Sequence, residues 1–140
     1  MRELSDLTII LAEDDPDDGK FLTSSFLKHP SFARVHLVKN GKELVEYLKN
    51  ANNKKPDVIL TDINMPIMNG IEALEELFNN VQLSSVSVFA YSTTVNPAYE
   101  ARGKAFGIKE FLIKPFSMMD FDEIPSRIVS RLAQDLENDL

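Results

Sequence analysis

The chain has 140 residues, 44 % of them hydrophobic, which fits one domain with a core of its own. It has no cysteine, which excludes disulfides, thiolate metal sites and cysteine catalysis. A net charge of −7 argues against nucleic-acid binding, which needs a basic face, and favours a partner with a basic or apolar surface. The opening "MRELSDLTII" is interrupted by Asp6 and has no signal-peptide apolar region, and no run approaches the ~18 apolar residues of a membrane span. A cytoplasmic, non-membrane protein is expected.

Five short apolar runs alternate with longer patterns of helical period. The first run is Thr8–Ala12, ending in Glu13-Asp14-Asp15. A helix follows Asp15-Pro16, with aspartate placed to cap it and proline in its first turn. It turns Phe21, Leu22, Ser25 and Phe26 toward a core. The second run, Val35–Val38, is weaker. The next helix opens at Asn40, with Glu43 three residues later as in a capping box, and carries the stripe Leu44, Val45, Leu48. Asn50–Lys55 reads as a solvated loop. The third run, Val58–Leu60, leads to Asp62 and Asn64 and then a turn containing Pro66 and Asn69-Gly70. The third helix carries Ile71, Leu74, Leu77 and Phe78. The fourth run, Val86–Ala90, ends in Ser92-Thr93-Thr94, and a less apolar helix spans Pro97 to Phe106. The fifth, Phe111–Ile113, ends in Lys114-Pro115. The last helix runs from about Asp122 toward Leu136, with Pro125 in its first turn, where the missing N–H is not needed.

This alternation predicts a doubly wound α/β fold, (βα)5, with a parallel sheet covered by helices on both faces. In such sheets the working site lies beyond the carboxyl ends of the strands. Carboxylates, hydroxyls and one ammonium therefore gather at one edge. Each has an ordinary explanation alone: Asp15 as a cap, Ser92 as a turn residue, Lys114 as a solvated charge. Together they are harder to dismiss. Two carboxylates about 5 Å apart repel by roughly 3 kcal/mol at an effective dielectric of 20. Lys114 offsets one charge and a divalent cation the rest; an all-oxygen site suits Mg²⁺ or Mn²⁺. Such an ion attracts phosphoryl oxygens. Asp62 is then placed as a nucleophile that becomes an acyl phosphate, with a hydroxyl and a lysine holding the remaining oxygens.

The motifs "ILAEDD", "LTDINMPIMNG", "FAYSTT" and "FLIKPF", in this order across nearly the whole chain, resemble receiver domains of bacterial two-component response regulators of the chemotaxis type. The resemblance implies a flavodoxin-like five-stranded sheet of order 2-1-3-4-5. It implies that Asp62 is the phosphoacceptor and that Asp14, Asp15, Asp62 and the backbone carbonyl of Asn64 hold Mg²⁺. It further assigns phosphoryl binding to the Ser92 hydroxyl and to Lys114, a cis bond before Pro115, and a switch role to Ser92 and Phe111. Ser92 stands where threonine is commoner, Thr93 where a small residue is usual, and Phe111 lacks the hydroxyl of the commoner tyrosine. The chain ends soon after its fifth helix, so residues 1–140 are expected to form a single receiver without an output domain.

Such a protein takes its phosphoryl group from a histidine kinase or a histidine phosphotransfer protein and signals by protein contact. Downstream binding or phosphorylation-dependent homodimerisation is placed on the fourth helix, fifth strand and fifth helix, around Tyr99, Phe106 and Lys109. Three rival readings remain at this stage. One is a pseudo-receiver that binds partners without phosphate. Another is an aspartyl-nucleophile Mg²⁺ phosphatase, disfavoured because Asn64 stands where a second acid is needed. The third is a flavodoxin-like cofactor binder, disfavoured because the first loop is acidic and not a phosphate cradle.

Overall fold

The computed structural model describes residues 4–138 apart from Gln82. Strands and helices alternate throughout: β1 (Leu7–Ala12), α1 (Pro16–Lys28), β2 (Phe32–Val38), α2 (Gly41–Lys49), β3 (Val58–Asp62), α3 (Gly70–Asn80), β4 (Ser87–Ser92), α4 (Pro97–Phe106), β5 (Glu110–Ile113) and α5 (Glu123–Asn138). The strands form one parallel sheet in the order β2-β1-β3-β4-β5. This is the doubly wound fold and strand order expected from the sequence.

Successive side chains of a strand point to opposite faces. Ile9, Leu11, Val58, Leu60, Phe89, Tyr91 and Leu112 therefore share one face, where Leu22 and Phe26 of α1 and Ile124, Ile128 and Leu132 of α5 cover them. Ile10, Ala12, Ile59, Val88 and Ala90 share the other, packed against Leu44, Val45 and Leu48 of α2 and Ile71, Leu74 and Leu77 of α3. The expected helix stripes are thus the buried ones, with Phe21 and Phe78 at the margin. α4 contributes little: Gly103 is its one buried residue.

The strands outrun their apolar cores because hydrogen bonding, not hydropathy, sets their ends. β2 begins at Phe32, which pairs with Leu7; as an outer strand it leaves Arg34 and His36 exposed. β3 and β4 continue through their polar ends, Asp62 pairing with Tyr91. Asn40 caps α2 as expected, but Glu43 reaches back to the Lys39 N–H, not to the cap's own. Asn69, read as a turn residue, caps α3 in a full box with Glu72. A 3-10 turn, Met118–Asp122, precedes α5 and has no clear signal in the sequence. Pro125 does lie in the first turn of α5.

Gly70 is tied to the third strand end: its N–H donates to the Ile63 carbonyl at 2.9 Å, and a Cβ there would stand 2.2 Å from the Asp62 carbonyl oxygen. The turn before it contains Ile67 at φ 70°, spanned by a Met68 N–H bond to the Pro66 carbonyl at 2.7 Å. A β-branched residue at positive φ is strained. No described helix is long and apolar enough to cross a membrane. The first three residues of the N-terminal stretch and the last two of the chain lie outside the described residues.

Candidate functional site

Strand parity decides which end residues meet. Asp62 follows Val58 and Leu60 in phase, Glu13 follows Leu11, and Lys114 follows Leu112, so all three fall on the face covered by α1 and α5. Ser92 is in phase with Ala90 and falls on the other face. All four are buried.

One oxygen each from Glu13, Asp14 and Asp62 lies within 4.8 Å of the others, which is ion-binding spacing. Asp15, expected in this group, is placed otherwise: its Oδ1 accepts the N–H groups of Asp17 and Asp18 and caps α1. The helix starts where the sequence placed it, with Asp15 taken up as its cap, so Glu13 and Asp14 are the acids left for the site. Alternation along β1 was the available signal, since it puts Glu13 in phase with Leu11.

Lys114 Nζ stands 2.8 Å from Glu13 Oε1, 2.9 Å from Asp18 Oδ2 and 3.4 Å from Asp62 Oδ2. Asp18 was not singled out in the sequence; it reaches the lysine from the first turn of α1. Burial opposes the Lys114 charge, but the Glu13 and Asp18 hydrogen bonds outweigh it and hold the ammonium above the ordinary lysine range. Burial, reinforced by the Glu13 charge, raises the Asp62 carboxyl to about 6 against the pull of Lys114. Desolvation also raises Asp14, with Glu13 adding to it. The carboxylates thus repel one another in the way that favours a divalent cation, and three carboxylate oxygens are the donors Mg²⁺ or Mn²⁺ takes.

Asn64 closes the site on the other side. Its N–H donates to Asp62 Oδ1 at 3.1 Å and its side-chain amide to Ser92 Oγ at 3.2 Å. Ser92 and Phe111 line a common small cavity, and the Phe111 ring packs partly buried against the core beneath α4. Thr93 is exposed. The bond before Pro115 is trans, not the cis form the resemblance implied; a tertiary amide prefers trans by about 0.5–1 kcal/mol unless its surroundings reverse this.

This architecture and site define a doubly wound α/β module with a buried acidic cluster at the carboxyl edge of its sheet. The chain belongs to the response regulator receiver domain family, which it matches over residues 9–126, and so to two-component signalling. It is 32 % identical over 107 residues to the protein PilH of Pseudomonas aeruginosa, covering 76 % of this chain and 84 % of PilH. It is 30 % identical over 126 residues to the chemotaxis protein CheY of Thermotoga maritima, covering 88 % and 92 %. Other curated relatives are longer, and the chain spans about a quarter of two of them. Among solved structures, the phosphorylated cyanobacterial phytochrome response regulator RcpA superposes with a TM-score of 0.79 at 25 % identity, over 89 % of this chain and 91 % of that one.

Proposed function

We propose that this chain accepts a phosphoryl group on Asp62 from a histidine kinase or histidine phosphotransfer protein, and signals through phosphorylation-dependent protein contacts in the cytoplasm. The observation that carries this reading is one buried carboxylate, Asp62, at a strand end with Glu13 and Asp14 at ion-binding distance and Lys114 beside it.

Glu13, Asp14 and Asp62, with the Asn64 carbonyl, are the residues that would hold Mg²⁺. When bound, the cation neutralises the phosphoryl oxygens against this acidic pocket. An Asp62 carboxylate oxygen attacks phosphorus as the bond to the donor's imidazole nitrogen breaks; that nitrogen leaves with the electron pair and takes up a proton. Lys114 and the Ser92 hydroxyl hold the transferred oxygens. Asn64 keeps Ser92 oriented and, as an amide, cannot activate water as an acid–base group. The chain therefore modifies itself and does not turn over phosphomonoesters. The relatives bear on the class: RcpA was solved phosphorylated.

Incubation with phosphoramidate and Mg²⁺ should add one phosphoryl mass, read by intact-mass spectrometry, and Asp62→Asn should gain none. Undiminished gain in that variant would remove Asp62 as acceptor. Steady release of phosphate from p-nitrophenyl phosphate would favour a phosphatase instead.

A further inference from the structure

The penultimate residue of β4 is Tyr91, the largest of the fully buried side chains. Its parity turns it toward α1 and α5, the face shared by Glu13 and Lys114. A purely apolar residue would fill that space; a tyrosine must also place a hydroxyl. The hydroxyl donates to Glu13 Oε1, the same oxygen that takes Lys114 Nζ at 2.8 Å. The other Glu13 oxygen accepts the Asp15 N–H at 2.9 Å. The Tyr91 ring also lies under the lysine, with Nζ 5.3 Å from its centroid. Tyr91 thus touches two of the charged neighbours of Asp62, Glu13 and Lys114, while its own side chain reaches no solvent.

We propose that Tyr91 is a positioning residue of the acceptor site. Its hydroxyl holds Glu13 against Lys114 and thereby tunes how strongly the acidic trio takes a divalent cation. This rests on the reading of Asp62 as phosphoacceptor.

The direction follows from the charges. In the cation-free site the hydroxyl stabilises a buried carboxylate whose other strong partner is a lysine it shares with Asp18 and Asp62. A bound cation relieves the Glu13 charge by itself, so the hydroxyl matters less there. Burial and the Glu13 charge keep the phenol protonated far above the ordinary tyrosine range, so it remains a donor. Removing the hydroxyl therefore raises the free energy of the empty site more than that of the loaded one, and the cation binds more tightly.

Tyr91→Phe keeps the ring and deletes the hydroxyl. The probe is Mn²⁺ alone, followed by electron paramagnetic resonance. The variant should melt at a lower temperature without metal yet bind Mn²⁺ roughly 3- to 10-fold more tightly. In a Glu13→Gln background the same change should no longer alter Mn²⁺ affinity. A ring that merely fills the core would lower the melting temperature and leave affinity unchanged or weaker, and that result overturns the proposal. A measurement on the unsubstituted chain guards against misfolding: the Tyr91 ring carbon bearing oxygen should shift in ¹³C NMR as Mg²⁺ is added, and an unmoved signal also overturns it. Phosphoryl uptake by the parent chain separates the two levels. Uptake with unchanged Mn²⁺ affinity in Tyr91→Phe defeats the positioning role alone; neither uptake nor Mn²⁺ binding in the parent defeats both.

Discussion

Ser92 and Phe111 line the same cavity, about 20 Å³ in volume. That is room for about one water and far less than a phenyl ring. The ring stays against α4 while the Thr94–Asn96 segment holds its place. Phosphorylation of Asp62 adds about one unit of negative charge and new acceptor oxygens, which would draw the Ser92 hydroxyl toward them. Enlarging this cavity lets Phe111 turn inward. Full burial of an aromatic side chain is worth roughly 1.5–3 kcal/mol, so burying the remainder of this half-buried ring contributes a part of that, a bias on a two-state equilibrium and not a complete switch. NMR shift mapping with beryllofluoride should show changes reaching Tyr99, Phe106 and Lys109. Changes confined to the strand-end loops would mean that Phe111 does not carry the signal.

The buried Asp62 carboxylate should make the metal-free protein less stable at neutral pH. Burial raises Asp62 to about 6 from the ordinary carboxylate value, so the folded chain holds this proton more tightly than the unfolded chain does. Stability from this group is greatest in acid and is lost as pH rises through about 6. Asp62→Asn should therefore stabilise the metal-free protein at pH 7 by on the order of 2 kcal/mol, and the gain should vanish toward about pH 4. Urea unfolding in chelator at both pH values checks this. A variant no more stable than the parent at pH 7 would mean that Lys114 already compensates the charge.

Asp14 and Asp15 should separate cleanly. Millimolar Mg²⁺ should raise the melting temperature by linkage, and Asp14→Asn should shrink that rise. Asp15→Ala should keep most of the Mg²⁺ effect but lower the metal-free stability by about 1 kcal/mol through loss of the α1 cap. Thermal scans with and without Mg²⁺ suffice. A Mg²⁺ effect lost in Asp15→Ala and kept in Asp14→Asn would reverse the assignment.

Gly103 governs where the Phe111 ring rests. A Cβ there would stand 2.4 Å from Phe111 Cζ and 2.6 Å from Ile108 Cδ1. Gly103→Ala should cost about 1–3 kcal/mol by overpacking, despite alanine's better helix propensity. Because the ring is pushed off its resting place, its aromatic signals should move toward those of the beryllofluoride form. A stabilised variant with an unmoved Phe111 would show that α4 yields and the ring does not.

The helix stripes and the gathering of Asp62, Ser92 and Lys114 at one edge were legible because strand polarity and period place them, whereas the sheet order followed only from the resemblance of the four motifs to receiver domains. The acidic run was not legible. Three consecutive acids at a strand-to-helix junction look alike in sequence, and the register of Asp15 as cap decides that Glu13 turns inward. Asp18 was hidden for a related reason: its reach to Lys114 depends on how α1 lies over the sheet. Tyr91 was not singled out, since it follows the apolar run that ends at Ala90 and only its parity with Glu13 gives the hydroxyl a partner.

The helices are anchored unequally. The α1 side is pinned where the Ser25 hydroxyl and Lys28 both reach Asp122, just ahead of α5. α4, by contrast, buries Gly103 alone. Its amides need the least disruption to meet water, so among the described helices its hydrogen exchange should be the fastest. A molecule built this way spends its thermal fluctuations on one side. Any event at the strand ends that loosens the Thr94–Asn96 segment should then be felt first in α4, while the Ser25 and Lys28 contacts with Asp122 hold the other face of the sheet in place.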